Sequence, residues 1–340
     1  MPQWIPLTVL YTPNKYQVKV KIFITGATGF VGYYIAEKLI REGHSLTILY
    51  RNKGYGFTRI KELNGLVQFV QGDINNYELL EETVSGHEVI IHAAGAVSFN
   101  SIDENVIENT NVNGTTNLVN LALALHIPKF IYISSIAALG GHVDQTEFDE
   151  SAEWDPKIQH HAYAISKHNA ELEVWRGSIE GLDVCILSPS LVIGSWDKKH
   201  HSMQIFNRIK SGNLFYTTGC KGWVDARNIG EAVLAVLTKN VYNERIILNG
   251  HNESLKNVLA LGAMEIGAKA PKYHLPFGLA MIGAKFLQLI NLTTGLKNQI
   301  TPDLVRSAYS HRQFDNTKSI TLLDLKYIPL LDSIRFALNG

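Results

Sequence analysis

Tyr163 and Lys167 stand four residues apart, a spacing that puts both side chains on one face of a helix. A phenol with its ordinary pKa of about 10 is a weak base near neutrality. An ammonium fixed beside it favours the phenolate, and a phenol so tuned can give or take the proton of a carbonyl or alcohol oxygen. The pair alone is common by chance. It gains weight from Ser135, which closes the apolar run Ile131-Tyr132-Ile133-Ser134-Ser135. A hydroxyl there can donate to a substrate oxygen and hold it beside Tyr163. Ser135, Tyr163 and Lys167 are therefore the candidate catalytic residues, with Lys167 also able to hold a nicotinamide ribose.

Such chemistry needs a hydride carrier. Upstream, the strand-like run Val18–Thr25 passes directly into Gly26-Ala27-Thr28-Gly29-Phe30-Val31-Gly32, and a helical pattern follows over Val31–Glu42. Gly26 permits a tight turn, Gly29 lets backbone N–H groups approach a pyrophosphate, and Gly32 lets the helix pack closely. The helix N-terminus then meets the phosphate charge. Gly26, Thr28, Gly29, Phe30, Val31 and Gly32 form the first part of a candidate dinucleotide site.

The second strand ends Leu49-Tyr50-Arg51-Asn52-Lys53, with two cations and no carboxylate. An acid at that place would hold the ribose hydroxyl of NAD, whereas a guanidinium suits the 2′-phosphate of NADP. NADP is the expected cofactor, through Arg51 and Lys53; if both are merely solvated loop charges, NAD takes its place. Asp73-Ile74 follows the third strand. Asp73 can accept from the adenine amino group or cap the next helix.

These residues need a scaffold. Strands are expected at Val18–Thr25, Ser45–Tyr50, Leu66–Val70, Glu88–His92, Lys129–Ser134 and Leu182–Leu187, and helices at Val31–Glu42, Tyr77–Val84, Val106–Leu125 and Ala162–Ser178. The strands are dense in Val and Ile with little polar alternation, as in a parallel sheet buried on both faces. Strand–helix alternation implies right-handed crossovers and an α/β fold, a Rossmann-type doubly wound parallel sheet over residues 18–187. After Ser188 the rhythm breaks. Residues 188–340 are expected to form a smaller mixed substrate-binding part, interwoven with the first domain and capping the C-terminal strand ends.

Residues 1–17 carry Pro2, Pro6 and Pro13 and lack the basic start of a signal peptide, so a loosely packed N-terminal extension is expected. The apolar stretch Pro276–Leu292 is interrupted by Lys285 and falls short of the ~20 residues that span a bilayer. A packed helix is expected there rather than a membrane anchor.

Lys plus Arg equals Asp plus Glu, 31 each, so net charge supplies no steering towards nucleic acid or an anionic membrane; neither is an expected partner. Cys185 and Cys220 stand in no C-x-x-C spacing and read as reduced thiols in the cytoplasm. His160, His161, His168 and the pair His200-His201 have no carboxylate or Cys to complete a ligand set, so no metal is expected. Trp154, Trp175, Trp196 and Trp223 read as core or pocket wall, Trp196 and Phe206 as lining for a substrate, and Asp315 or Asn316 as a helix cap.

Taken in order, these motifs resemble the extended short-chain dehydrogenases/reductases, the NAD-dependent epimerase/dehydratase family. The resemblance runs well over residues 19–240 through Thr25–Gly32, Asp73-Ile74, His92-Ala93-Ala94-Gly95, Asn111-Val112-Asn113-Gly114-Thr115, Ser135, Tyr163 with Lys167, and Pro189-Ser190 leading to Gly194. It implies that His92, Ala93, Ala94 and Gly95 line the cofactor, that Asn111 braces the active-site backbone, and that Pro189 and Ser190 also belong to the cofactor site. Arg51 and the segment Pro189–Gly194 are similar to the dihydroflavonol-reductase and hydroxysteroid-dehydrogenase members.

Asp225 and Arg227 depart from the epimerase pattern of His and Asp, and Ile136-Ala137 lack the acids of the dehydratases. The implied activity is NADP-dependent reduction of a carbonyl or oxidation of an alcohol. A nucleotide-sugar epimerase with tightly held NAD(P) is the alternative, and a non-catalytic NADP-sensing protein a further one. The implied substrate is a small carbonyl, alcohol or sugar. Helices Val106–Leu125 and Ala162–Ser178 could pair across a twofold axis in a homodimer, as in relatives.

Overall fold

The computed structural model describes residues 19–97, 104–142, 144–158, 160–197, 205, 209–210, 215–294 and 300–339. The expected extension at 1–17, Phe206 and His200-His201 lie outside the described residues.

Along the chain run strands β1 (Lys21–Thr25), β2 (Ser45–Tyr50), β3 (Val67–Gln71), β4 (Val89–His92), β5 (Lys129–Ile133), β6 (Glu147–Phe148), β7 (Asp183–Pro189), β8 (Leu191–Ile193), β9 (Phe215–Tyr216), β10 (Cys220–Asp225), β11 (Glu244–Leu248), β12 (His251–Ser254), β13 (Tyr273–His274) and β14 (Gln313–Phe314). Seven of them form one parallel sheet in the order β3-β2-β1-β4-β5-β7-β11. The order reverses between β1 and β4, where a doubly wound sheet opens a ligand crevice. Ile22, Phe23, Ile24, Ile90, Ile91, Phe130, Ile131, Val184 and Ile186 are wholly buried, so apolar layers cover both faces. Each such side chain contributes roughly 1.5–3 kcal/mol relative to an exposed one.

Helices α1 (Phe30–Arg41), α2 (Tyr55–Lys61), α3 (Tyr77–Val84), α4 (Glu104–Ile107), α5 (Gly114–Ala124) and α6 (Ala162–Ile179) fill the crossovers. The expected helix over Val106–Leu125 is interrupted by a π-helical stretch, Glu108–Asn113. Such bulges frequently mark functional sites.

The sheet does not stop at Ser188. β11 completes its edge, and helix Ala226–Lys239 packs on α1, where a Cβ at Gly230 would come within 2.6 Å of the Tyr34 carbonyl. Sequence patterning misses β11 because Glu244 and Arg245 leave only Ile246-Ile247-Leu248 as its apolar run.

The remaining strands are short. They form a β12-β10-β8 sheet and two pairs of two-residue strands, β13-β9 and β14-β6, beside helices Leu255–Glu265, Phe277–Thr294, Pro302–Tyr309, Thr317–Leu323 and Leu330–Asn339. The packed helix expected at Pro276–Leu292 packs on one side only. A helix forms over Phe277–Thr294, but Leu279, Ile282 and Phe286 are 61%, 66% and 62% exposed. Its least exposed positions are Ala280, Met281, Leu287 and Ile290, with Ala284 buried. Among the described residues no helix is long and apolar enough to cross a membrane.

Candidate active site

A cleft of about 280 Å³ opens at the C-terminal ends of β1, β2, β3 and β4. Gly26 has φ +75°, and a Cβ there would come within 2.3 Å of the Ala94 amide; only glycine makes this turn. A Cβ at Gly32 would sit 2.1 Å from the Gly26 carbonyl, so Gly32 presses α1 onto the loop backbone rather than onto the strand. Gly29 is exposed and serves as the N-cap of α1 without a side chain, leaving the first turn's N–H groups for an anion.

Thr25, Gly26, Thr28, Gly29, Arg51, Asp73, Ile74, Ala93, Ala94 and Gly95 all line this cleft. Tyr50, Gly72, Ala96, Val106 and Thr110 line it too and were not legible from motif spacing. Asp73 accepts from the Asn75 amide at 2.9 Å, while the cap of α3 is Asn76, so the capping alternative for Asp73 is replaced by a turn.

Several expected cofactor residues lie off the cleft lining. Phe30 is buried, its ring tilted against Trp196 at 5.6 Å; Val31 packs against the core. Lys53 extends over the Phe57 ring at 5.9 Å. Pro189, the last residue of β7, pairs with Leu248 of β11, and Ser190 follows it; both are buried. The hydroxyls of Ser188 and Ser190 are buried with no protein partner, polar atoms that a ligand could satisfy.

His92 is wholly buried and supports the floor rather than forming it. Its Nδ1 meets Thr25 Oγ1 at 2.7 Å and its Nε2 meets Thr115 Oγ1 at 3.0 Å. Thr115 commits its own proton to the Asn111 carbonyl, so Nε2 donates and Nδ1 accepts. Burial, then the Lys167 charge, lower this imidazole to about 3, and it stays neutral. Thr25 Oγ1 in turn accepts from the Ala94 amide, tying the strut to the cleft wall. Asn111, in the π-helical stretch, accepts from the Ala96 amide at 2.7 Å and donates to the Ala96 carbonyl and to Ser166 Oγ. It braces the segment after β4 from behind.

α6 presents the candidate catalytic residues beside this cleft. His161 caps it, its Nδ1 accepting from the Ala164 amide, and Trp154 stacks between His160 and His168 at 3.8 and 4.1 Å. The Ser135 side chain acts on the Tyr163 phenol, lowering it as a hydrogen-bonding neighbour does. Ser135 itself caps the short turn Ile136–Ala138, which fixes its Oγ. Lys167 is buried; its Nζ donates to the Ile133 carbonyl at 2.9 Å and to Tyr132 Oη at 3.1 Å. Gly95 lies against it: a Cβ there would stand 3.4 Å from Nζ, an ordinary contact distance.

The electrostatics correct one expectation. Burial holds the Tyr163 phenol above its ordinary value, and the Ser135 hydrogen bond only partly offsets this. Lys167 points its protons at Ile133 and Tyr132, so sharing a helix face does not make it the tuning partner of the phenol. Burial also lowers Lys167 to about 8, opposed by the charge of Glu171 one turn on.

Glu171 is itself buried, accepts from Ser134 Oγ and pairs with Arg245 at 3.4 Å. Burial raises its carboxyl, with Ser134 and Arg245 opposing. The i, i+4 spacing of Lys167 and Glu171 could have flagged it. Asp225, which stands where epimerases differ, caps the next helix and pairs with Arg227 at 2.7 Å.

Among the described residues no cluster of three His, Cys, Asp or Glu side chains could hold a metal ion. A dinucleotide fits the residues present: a turn only glycine can make, a bare helix N-terminus and a wall of small residues.

Comparison with known proteins agrees. The family model described as the NAD dependent epimerase/dehydratase family matches residues 22–249. A Synechocystis protein that carries the name of a dihydroflavonol 4-reductase is 28% identical over 311 residues, covering 89% of each chain. The crystal structure of gox2253 superposes with a TM-score of 0.80 at 26% identity, covering 94% of this chain and 97% of the other. That of a UDP-glucuronic acid 4-epimerase from Bacillus cereus in complex with NAD gives 0.73 at 19% identity, covering 94% and 95%.

Proposed function

Because this chain belongs to the NAD dependent epimerase/dehydratase family, we propose that it is an NADP-dependent oxidoreductase that reduces a small carbonyl compound. One observation carries the reading: Ser135 bears on the Tyr163 phenol while Lys167 lies buried one helical turn away, beside the glycine-lined cleft. A bound nicotinamide supplies the hydride that adds to the carbonyl carbon. Tyr163 gives its proton to the carbonyl oxygen, and Ser135 donates a hydrogen bond that holds that oxygen in place. Lys167 orients the ribose.

The raised phenol favours this direction, because a proton-bearing Tyr163 is the form that reduction needs at neutral pH. Alcohol oxidation would start from the phenolate. Arg51 on the cleft wall, with no carboxylate at the end of β2, favours the 2′-phosphate of NADP over NAD. The free thiols of Cys185 and Cys220 are consistent with the cytoplasm. Exposed Ile165, Leu172 and Ile179 lie seven residues apart on α6 and support a homodimer through that helix.

The test is titration with NADPH and NADH, then a panel of carbonyls followed by nicotinamide absorbance, with Tyr163→Phe alongside. Turnover by that variant at the native rate would remove the assignment. The similar NAD-bound epimerase fold favours a second reading, a sugar epimerase with tightly held cofactor. Cofactor that survives purification, and turnover without net absorbance change, would select it.

A further inference from the structure

We propose that helix Phe277–Thr294 is a docking element that lays this protein on an anionic lipid bilayer without crossing it. Leu279, Ile282 and Phe286 lie at i, i+3 and i+7, which puts them on one outward stripe. They are 61%, 66% and 62% exposed, and Phe277 at the start of the helix is 46% exposed. A soluble monomer rarely leaves so continuous an apolar face to water unless something covers it. Nearby β13 adds Tyr273, 51% exposed, an amphipathic ring suited to the boundary between headgroups and acyl chains.

Charge identifies the cover. The whole chain is neutral, yet the stretch from Ile266 to Ile300 carries Lys269, Lys272, Lys285 and Lys297 and no acidic residue. Lys269, Lys272 and Lys285 are exposed, and Lys285 stands beside Phe286 at the edge of the stripe. An apolar stripe flanked by lysines and aromatic rings is the composition of a helix resting in a bilayer interface. A second copy is a poorer occupant. A twofold contact through this stripe would bring like ammonium groups together with no carboxylate among them, and the apolar stripe on α6 already offers a self-association face.

The position is apt for an enzyme. The Tyr309 hydroxyl donates to the Leu275 carbonyl and its ring meets Phe277 at 5.3 Å, so helix Pro302–Tyr309 backs the docking helix. Asp303, at the start of that backing helix, acts electrostatically on His161, the cap of α6 two residues before Tyr163. Peripheral docking of this kind would depart from the expectation of no membrane partner, which net charge and the short apolar stretch interrupted by Lys285 supported.

The experiment is flotation of the full chain with vesicles of pure phosphatidylcholine and with vesicles one-third phosphatidylglycerol. Binding is expected to the anionic vesicles, weakened by salt. Phe286→Asp and Ile282→Asp should reduce partitioning at least tenfold while leaving Tm unchanged, as both side chains face outward. Lys285→Glu should cost about fivefold or more, and Ile179→Asp, on α6, should change nothing. Absence of wild-type flotation overturns the proposal. So does flotation indifferent to Phe286→Asp, or a dimer in light scattering that this substitution splits.

Discussion

The β1–α1 corner and the helix Phe277–Thr294 are both rich in glycine and apolar residues, yet they treat contact in opposite ways. At the corner, backbone touches backbone: Gly26 against Ala93 and Ala94, Gly32 against Gly26. Every apolar side chain on β1 is buried by the chain itself. On the helix, Gly278 and Gly283 would meet nothing if given a Cβ, and the large side chains look outward. Glycine and hydrophobicity thus carry no fixed meaning. A tight corner built from the chain's own atoms tolerates nothing, whereas a face left open is free to change until a partner is supplied.

The largest expected effect lies on α6, beside the intolerant corner, and the next at the corner itself. Tyr163→Phe should lower turnover by about a thousandfold with cofactor affinity within about twofold, measured by nicotinamide absorbance and fluorescence titration. Gly32→Ala should weaken cofactor binding by about a hundredfold or more, because relieving a Cβ at 2.1 Å must displace the loop. Gly283→Ala on the open helix should leave both binding and Tm intact; equal damage at the two glycines would erase the contrast.

A smaller effect separates two cations. Arg51→Ala should cost about tenfold or more in NADPH affinity and little in NADH affinity, whereas Lys53→Ala, off the cleft, should cost less than about twofold. The reverse order would move the 2′-phosphate away from Arg51.

The finest test uses Lys167, which burial lowers from 10.5 to about 8. Its charge is lost as pH rises through about 8, so kcat/KM for reduction should fall above that point, up to about tenfold per pH unit. Stability moves the other way. Between about 8 and 10.5 the unfolded chain binds the proton that the native chain has lost, so this residue adds stability as pH rises. Lys167→Met should abolish both slopes.

Much of the corner was legible because its rules are local. The strand–loop–helix order and the spacing of Gly26, Gly29 and Gly32 carry the cleft, and Tyr163 with Lys167 carries the helix face. What was not legible depends on three-dimensional neighbours. Lys167 was expected to bear on the phenol, but helix periodicity cannot say that Ile133 and Tyr132 claim its protons. Glu171 reads as a surface acid until β11 brings Arg245 to it. His92 reads as lining, although its two ring nitrogens face Thr25 and Thr115 inside the fold. Outward Leu279, Ile282 and Phe286 defeat the rule that apolar residues turn inward.

One consequence of the His92 strut concerns acidification. An imidazole that gains a proton only near pH 3 presents the same acceptor and the same donor throughout the range where most proteins work. The alignment of Thr25 and Ala94, and with it the cradle for the dinucleotide, is thereby insulated from proton concentration. A response of the site to pH near 8 then falls to Lys167 on α6, so titration of cofactor affinity and titration of catalysis should part company in the same sample.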